Sequence, residues 1–141
     1  MPRPSPEQIQ KNLEALREWE NEKLKTNGWF AHYVFDEEGR VNCHTHGLKE
    51  SLNHPDLQII FPLDRESGSI IHSNAVKIIK GGVSFTAGVR YNGIVTGREV
   101  TFAKAHEGER EILRMIIPGE DLVLEKGKMG EFDFQWEDTE E

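Results

Sequence analysis

The residues best suited to chemistry in this 141-residue chain lie close together. They are Cys43, His44, His46, His54 and Asp56, with His32 before them and His72 after. His44 and His46 are two apart in a run of strand-forming residues. Both side chains therefore leave the same face, with Cα atoms about 6.5–7 Å apart. Two imidazoles at that spacing can share a metal ion such as zinc, but a zinc site needs at least three protein ligands. Cys43 projects from the opposite face, so a third ligand has to come from elsewhere, from His54, Asp56 or His72. The competing reading packs both rings against Trp29 and Tyr33 on a covered face, with their N–H groups donating to backbone carbonyls. A two-ligand fragment is not a site, and the residues alone favour packing.

Asn53-His54-Pro55-Asp56 is the second candidate, with His54 or Asp56 as a general base at one mouth of a sheet. The residue before proline is pushed to extended geometry, so the same four residues also read as a turn from a short helix into a strand. Loops carry function disproportionately, yet the turn is the favoured reading. Cys43 as a nucleophile needs a histidine within reach. His32 could supply it across a hairpin, but a lone cysteine here reads better as a small buried apolar residue. Gly81-Gly82 follow a helix, whereas a phosphate cradle places glycine before one. They are a helix end, and no nucleotide or nucleophile-elbow motif is present.

These residues need elements to position them. Residues 57–61 are wholly apolar and stopped by Pro62, which predicts an interior strand around which the rest is arranged. Ahead of them, Ser5-Pro6-Glu7-Gln8 reads as a capped helix start. Ile9, Leu13, Leu16 and Trp19 form one apolar stripe, and Gly28 supplies the end. That stripe predicts a helix packed on the core; an exposed helix used for self-association is the alternative. Residues 29–35 and 40–46 form a hairpin around a four-residue loop, 36–39. With that loop, Phe35 faces Arg40, Tyr33 faces Asn42, Ala31 faces His44 and Trp29 faces His46. A one-residue slip would reshuffle every pair.

After the interior strand, Ser67 or Ser69 can cap a second helix with Ile71, Ala75, Ile78 and Ile79 as its apolar stripe. A β-rich half follows, with extended runs starting at residue 83 and over 89–95, 99–105 and 112–117. Phe132, Phe134 and Trp136 alternate along an extended tail. They either complete the sheet or form a strand that pairs with another chain. The fold expected is a single α+β domain over residues 1–141, with a mainly antiparallel or mixed sheet. An N-terminal helix and one central helix pack on one of its faces, and residues 1–4 and 137–141 are frayed ends.

The formal net charge is −8, and residues 111–141 are the most acidic part. Nucleic-acid binding needs clustered Lys and Arg to neutralise phosphate, so that class is disfavoured. No apolar run approaches the roughly 20 residues of a membrane span. One cysteine, no internal disulfide and no apolar leader point to the cytoplasm.

Asn27-Gly28-Trp29, Thr45-x-Gly47-Leu48, His54-Pro55-Asp56-Leu57, the helix carrying Asn74, Gly81-Gly82 and the closing run Met115–Pro118 form a set. Over roughly residues 25–121 that set resembles the small bacterial family labelled domain of unknown function 4262. Against that pattern His44 stands where an aromatic is usual, His46 where an aliphatic is usual, and Asp56 in place of Glu. The resemblance implies an α+β domain and brings no activity with it.

The function expected from the sequence is therefore a non-catalytic binding or protein-interaction module without a cofactor, of the antitoxin or immunity type or a homodimer. Trp29, Tyr33, Phe132, Phe134 and Trp136 are its ligand or partner surface. The alternatives are a small metal-assisted hydrolase using His44 and His46 with His54 or Asp56, and a small-molecule binder with a pocket lined by Trp29, Tyr33 and His46.

Overall fold

The computed structural model describes residues 3–35 and 39–140. Most of the expected hairpin loop and the extreme ends of the chain lie outside the described residues. Helix α1 (Pro6–Asn27) begins at the predicted cap, where Ser5 Oγ accepts the Gln8 N–H at 3.1 Å. The Gln8 side chain does not return to Ser5; it donates forward to Asn12. Gly28 ends the helix at φ 82°, a conformation that costs glycine little.

Six strands follow: β1 (Phe30–Phe35), β2 (Val41–His46), β3 (Asp56–Phe61), β4 (Arg90–Val95), β5 (Arg98–Glu107) and β6 (Arg110–Ile116). The short α2 (Leu48–Leu52) links β2 to β3, and α3 (Arg65–Lys80) follows β3. The sheet is mixed, in the order β1-β2-β3-β6-β5-β4. Only β3 and β6 run parallel; every other pair is antiparallel. The apolar stretch 57–61 is thus an interior strand, bonded to β2 on one side and β6 on the other.

Helix α3 seals one face. Val41, Cys43, Leu57, Ile59, Leu113 and Met115 from the sheet meet Ile71, Ala75, Val76 and Ile79 from the helix. Full burial of a side chain of the larger kind stabilises by about 1.5–3 kcal/mol, so this face carries most of the folding energy. The opposite face is covered only in part. The C-terminal segment lays Leu124 and Met129 over Ala103 and Ile116, and α1 reaches the β1 edge.

Five local expectations are corrected. The β1–β2 register is one residue away from the expected one: Phe35 pairs with Val41, Tyr33 with Cys43, His32 with His44 and Phe30 with His46. Arg40 belongs to the connection, which is longer than four residues. The α3 cap is Asp64, whose carboxylate accepts the Ser67 N–H at 2.7 Å. Residues 83–89 form no strand. The aromatic tail is a 3-10 helix (Gly130–Trp136), not an extended segment. Finally, α1 buries no residue: Ile9, Leu13, Leu16 and Trp19 are each about 45–46% exposed. It meets the face opposite α3, through Trp19 against Phe30 and Glu20 against His32, so the helices are not all on one face.

Candidate metal centre

The corrected register decides what the histidines do. Phe30, His32 and Val34 now share a face with Asn42, His44 and His46, and Cys43 turns to the apolar side. His32 and His44 are directly opposed on neighbouring strands, and His46 is diagonal to His32. One nitrogen from each of the three rings lies within 4.8 Å of the other two. The ring centroids are 5.5, 4.7 and 5.0 Å apart, with the planes steeply inclined to one another. A tetrahedral zinc ion at about 2.0–2.1 Å from three imidazole nitrogens holds those nitrogens about 3.4 Å apart, so the rings would have to close in on one another to share one ion.

What surrounds the rings fits an ion. A carboxylate commonly orients a metal-binding histidine from behind. The Glu20 carboxylate contacts His32 Nε2, and Glu107 Oε2 is 3.5 Å from His44 Nε2. His44 Nδ1 lies 3.3 Å from Asn42 Oδ1, so both its ring contacts are long and one yields readily. His46 Nε2 is buried without any hydrogen-bond partner among the described residues. A buried polar atom left unpaired costs about 1–3 kcal/mol, and a metal ion removes that cost.

Electrostatics favour the ligand form. Burial, reinforced by the Arg110 guanidinium, pushes the His46 imidazolium down to about 4. Burial also lowers His44, against the pull of Glu107. Neutral imidazole is the form that binds metal. Phe30 stacks on His46 at 5.2 Å and fixes the ring plane.

Asp56 and Arg110 build the wall behind the centre. Asp56 Oδ1 accepts from Thr45 Oγ1 at 2.7 Å and from the Leu48 N–H at 3.1 Å. Its Oδ2 pairs with Arg110 Nη1 at 2.9 Å, and Arg110 Nη2 holds Glu107 at 3.1 Å. Burial raises the Asp56 carboxyl, opposed by those three partners. The chain Asp56–Arg110–Glu107–His44 therefore runs from the start of β3 to the triad. A polar row continues across the face: Gln58, opposite His44, donates to Asn42 Oδ1, and its Oε1 accepts from Arg114 Nε at 2.8 Å.

The other predicted residues lie elsewhere. His54 is buried, with Nδ1 donating to the Pro55 carbonyl at 2.8 Å and Nε2 accepting the Phe85 N–H at 3.0 Å. Both nitrogens are committed, so its observed contacts are those of a turn pin. Cys43 does not face His32; burial raises its thiol to about 12. His72 Nε2 donates to the Cys43 carbonyl on β2 at 3.1 Å, and the ring stays on the apolar face. Trp29 and Tyr33 also lie on that face, in a groove between α1 and α3, so neither shares a pocket with His46 and neither packs on the histidines. Phe132 stacks on Phe61 at 5.1 Å, Phe134 lies under Arg40, and Trp136 donates to Met129 Sδ.

Sequence reasoning missed His32, Glu20, Glu107 and Arg110. For His32 a signal existed: the observed register, unlike the expected one a single residue away, gathers all three strand histidines and Asn42 on one face and leaves Ala31, Tyr33, Phe35, Val41 and Cys43 on the other.

A family model described as Domain of unknown function (DUF4262) matches residues 23–116. The chain belongs to this family. The DUF4262 match takes in the three histidines, Glu107 and Arg110, and leaves out Glu20 and the C-terminal 3-10 helix. No curated protein and no solved structure matches the chain.

Proposed function

We propose that this DUF4262 protein binds one divalent transition-metal ion on His32, His44 and His46, and that the centre serves metal-assisted hydrolysis. The observation that carries the reading is the convergence of three ring nitrogens, one each from His32, His44 and His46, within 4.8 Å. An all-nitrogen, three-ligand set suits zinc best among common biological metals. Three ligands leave a fourth position for water, whose pKa such an ion lowers to about 7. Glu107, held by Arg110, would orient His44 from the side of the ring away from the ion. The sequence alone favoured a cofactor-free module; the geometry now supports the metal reading over it.

Metal analysis of untagged protein purified without chelator tests this. We expect close to one zinc, or another divalent ion, per chain, and a melting temperature that rises on loading, because an ion bound only by the native state stabilises it. Sub-stoichiometric metal together with unchanged melting would sink the reading. Turnover of activated esters and phosphodiesters by loaded protein tests the hydrolytic part.

A second reading rests on α1. Its exposed stripe of Ile9, Leu13 and Leu16 supports a protein-interaction role, with self-association as the simplest form. Light scattering of the full chain against the Leu13→Glu, Leu16→Glu variant separates the two; a monomeric full chain removes self-association. No helix among the described residues is long and apolar enough to cross a membrane. A lone buried thiol supports a cytoplasmic setting.

A further inference from the structure

The two edges of the sheet differ. At one end β4 carries Arg90, Asn92 and Gly93, and its pairing with β5 shifts register between Tyr91 and Val95. A charge, a glycine and a bulge all hinder an edge from accepting another strand. At the other end β1 has none of these. It holds no Lys, Arg, Gly or Pro, it pairs with β2 in unbroken register from Phe30 to Phe35, and it is outermost in the sheet. Alternate residues along its free side therefore present a backbone N–H and C=O with no backbone partner among the described residues.

That free side opens into the groove between α1 and α3, a space of about 670 Å³. Trp19 and Lys23 of α1 form one wall, and Arg65 and Ile70 of α3 form the other. Trp19 and Ile70 are each about half exposed, so both walls offer apolar surface that the chain itself does not cover. Each side also holds a cation over an aromatic ring. Lys23 Nζ is 5.9 Å from the Trp19 ring centre, and the Arg65 guanidinium is 5.2 Å from that of Tyr33. Neither cation is in an ion pair among the described residues, and Glu66 is the one acidic side chain in the described lining. The groove is thus net positive in a chain whose formal net charge is −8.

We propose that this groove binds an extended, acidic segment of another protein, which pairs with β1 as an added strand. Backbone bonds to the edge supply affinity in this mode, and contacts with the walls supply choice. Successive side chains of a strand point to opposite sides, so neighbouring residues of the segment reach opposite walls. A segment as long as the six residues of β1 has room for one acidic and at least one apolar side chain on each wall. The acidic pair meets Lys23 and Arg65, and the apolar residues meet Trp19 and Ile70. A second copy of this chain suits the groove less well. It would bring its own α1 and α3 to the edge along with its strand, whereas a free segment brings the strand alone. The inference rests neither on the metal centre nor on self-association through the Ile9, Leu13 and Leu16 stripe, and each can fail without the others.

The test is fluorescence anisotropy of the full chain with labelled, end-blocked hexapeptides. The probes are Glu-Asp-Val-Ile-Val-Phe, the same sequence reversed, and versions of both with lysine in place of the acidic pair. At least one acidic peptide is expected to bind saturably, and at least tenfold more tightly than its lysine counterpart. N-methylation of alternate amides should then act by parity. Methyls on the amides that bond β1 should weaken binding at least tenfold, and methyls on the other set should leave it unchanged. Arg65→Glu, at an exposed position, should abolish the preference for acid over lysine with the melting temperature unchanged. No saturable binding by either acidic peptide, equal affinity for acidic and lysine peptides, or indifference to which amides are methylated overturns the inference. So does a dimer in light scattering that Ile70→Glu dissociates, because a second copy then fills the groove.

Discussion

The two faces of the sheet are made of the same strands and do different work. On the α3 face, Leu57, Ile59 and Met115 are wholly buried against a helix in a mainly apolar core that also holds the His72 ring. On the other face the same strands present His32, His44, Gln58 and Arg114 side by side, under partial cover. The first face holds the molecule together. The second carries His44 and His46, whose protonated forms burial disfavours, a carboxylate-braced guanidinium and, among the described residues, an unpartnered nitrogen on His46. Alternation along each strand separates the two roles by one residue, which is why the register matters so much.

That contrast predicts opposite responses to substitution. Leu57→Ala on the α3 face should cost about 2–5 kcal/mol in urea denaturation, from lost burial and the cavity left behind. His32→Ala, on the metal-free protein, should change stability by less than about 1 kcal/mol, because its ring is partly exposed. Comparable losses at the two positions would break the division of labour.

Acid should find the α3 face through His72. That ring is fully buried, its Nδ1 has no partner among the described residues, and burial lowers it from 6.5 to about 4. Between those values the unfolded chain binds a proton that the folded chain refuses. Stability is therefore intact above pH 6.5 and falls by about 1.4 kcal/mol per unit as pH drops toward 4, levelling below. His72→Leu should flatten the stability profile in that window; an unchanged slope would assign the loss to other groups.

The C-terminal cover is held by fewer bonds. Gln135 accepts the Ile117 N–H at 2.8 Å and donates to the Ile117 and Phe132 carbonyls. Gln135→Ala should cost about 1–3 kcal/mol and speed hydrogen exchange over residues 130–136 ahead of the strands. The smallest effect is expected at Ile9→Glu on α1, within about 0.5 kcal/mol, because the position is nearly half exposed. A larger loss would mean that something covers α1 in solution.

Much of the α3 face was legible in the sequence. Local periodicity and caps locate α1 from Ser5 to Gly28, the β3 strand and the α3 stripe, in which Ile71, Ala75 and Ile79 are buried as expected and Ile78 lies at the margin. The candidate site was legible only by halves. His44 and His46 share a face on any strand, but adding His32 depends on whether the hairpin connection takes in Arg40, and no residue near 36–40 fixes that length. Glu20 and Glu107 reach the histidines across 12 and 63 positions of chain, and Arg110 reaches Asp56 across 54, contacts that no local pattern encodes. The tail misled for a similar reason. Three aromatics at alternate positions suit a strand, while the tie that decides is Gln135 against the backbone of Ile117.

The proposed centre requires the three imidazoles to act together. Isothermal titration of metal-free, untagged protein with zinc measures that directly, beside His32→Ala, His44→Ala and His46→Ala. One ion per chain is predicted, with each single variant at least a hundredfold weaker than the parent. Binding by the parent that is no tighter than binding by the three variants would contradict it.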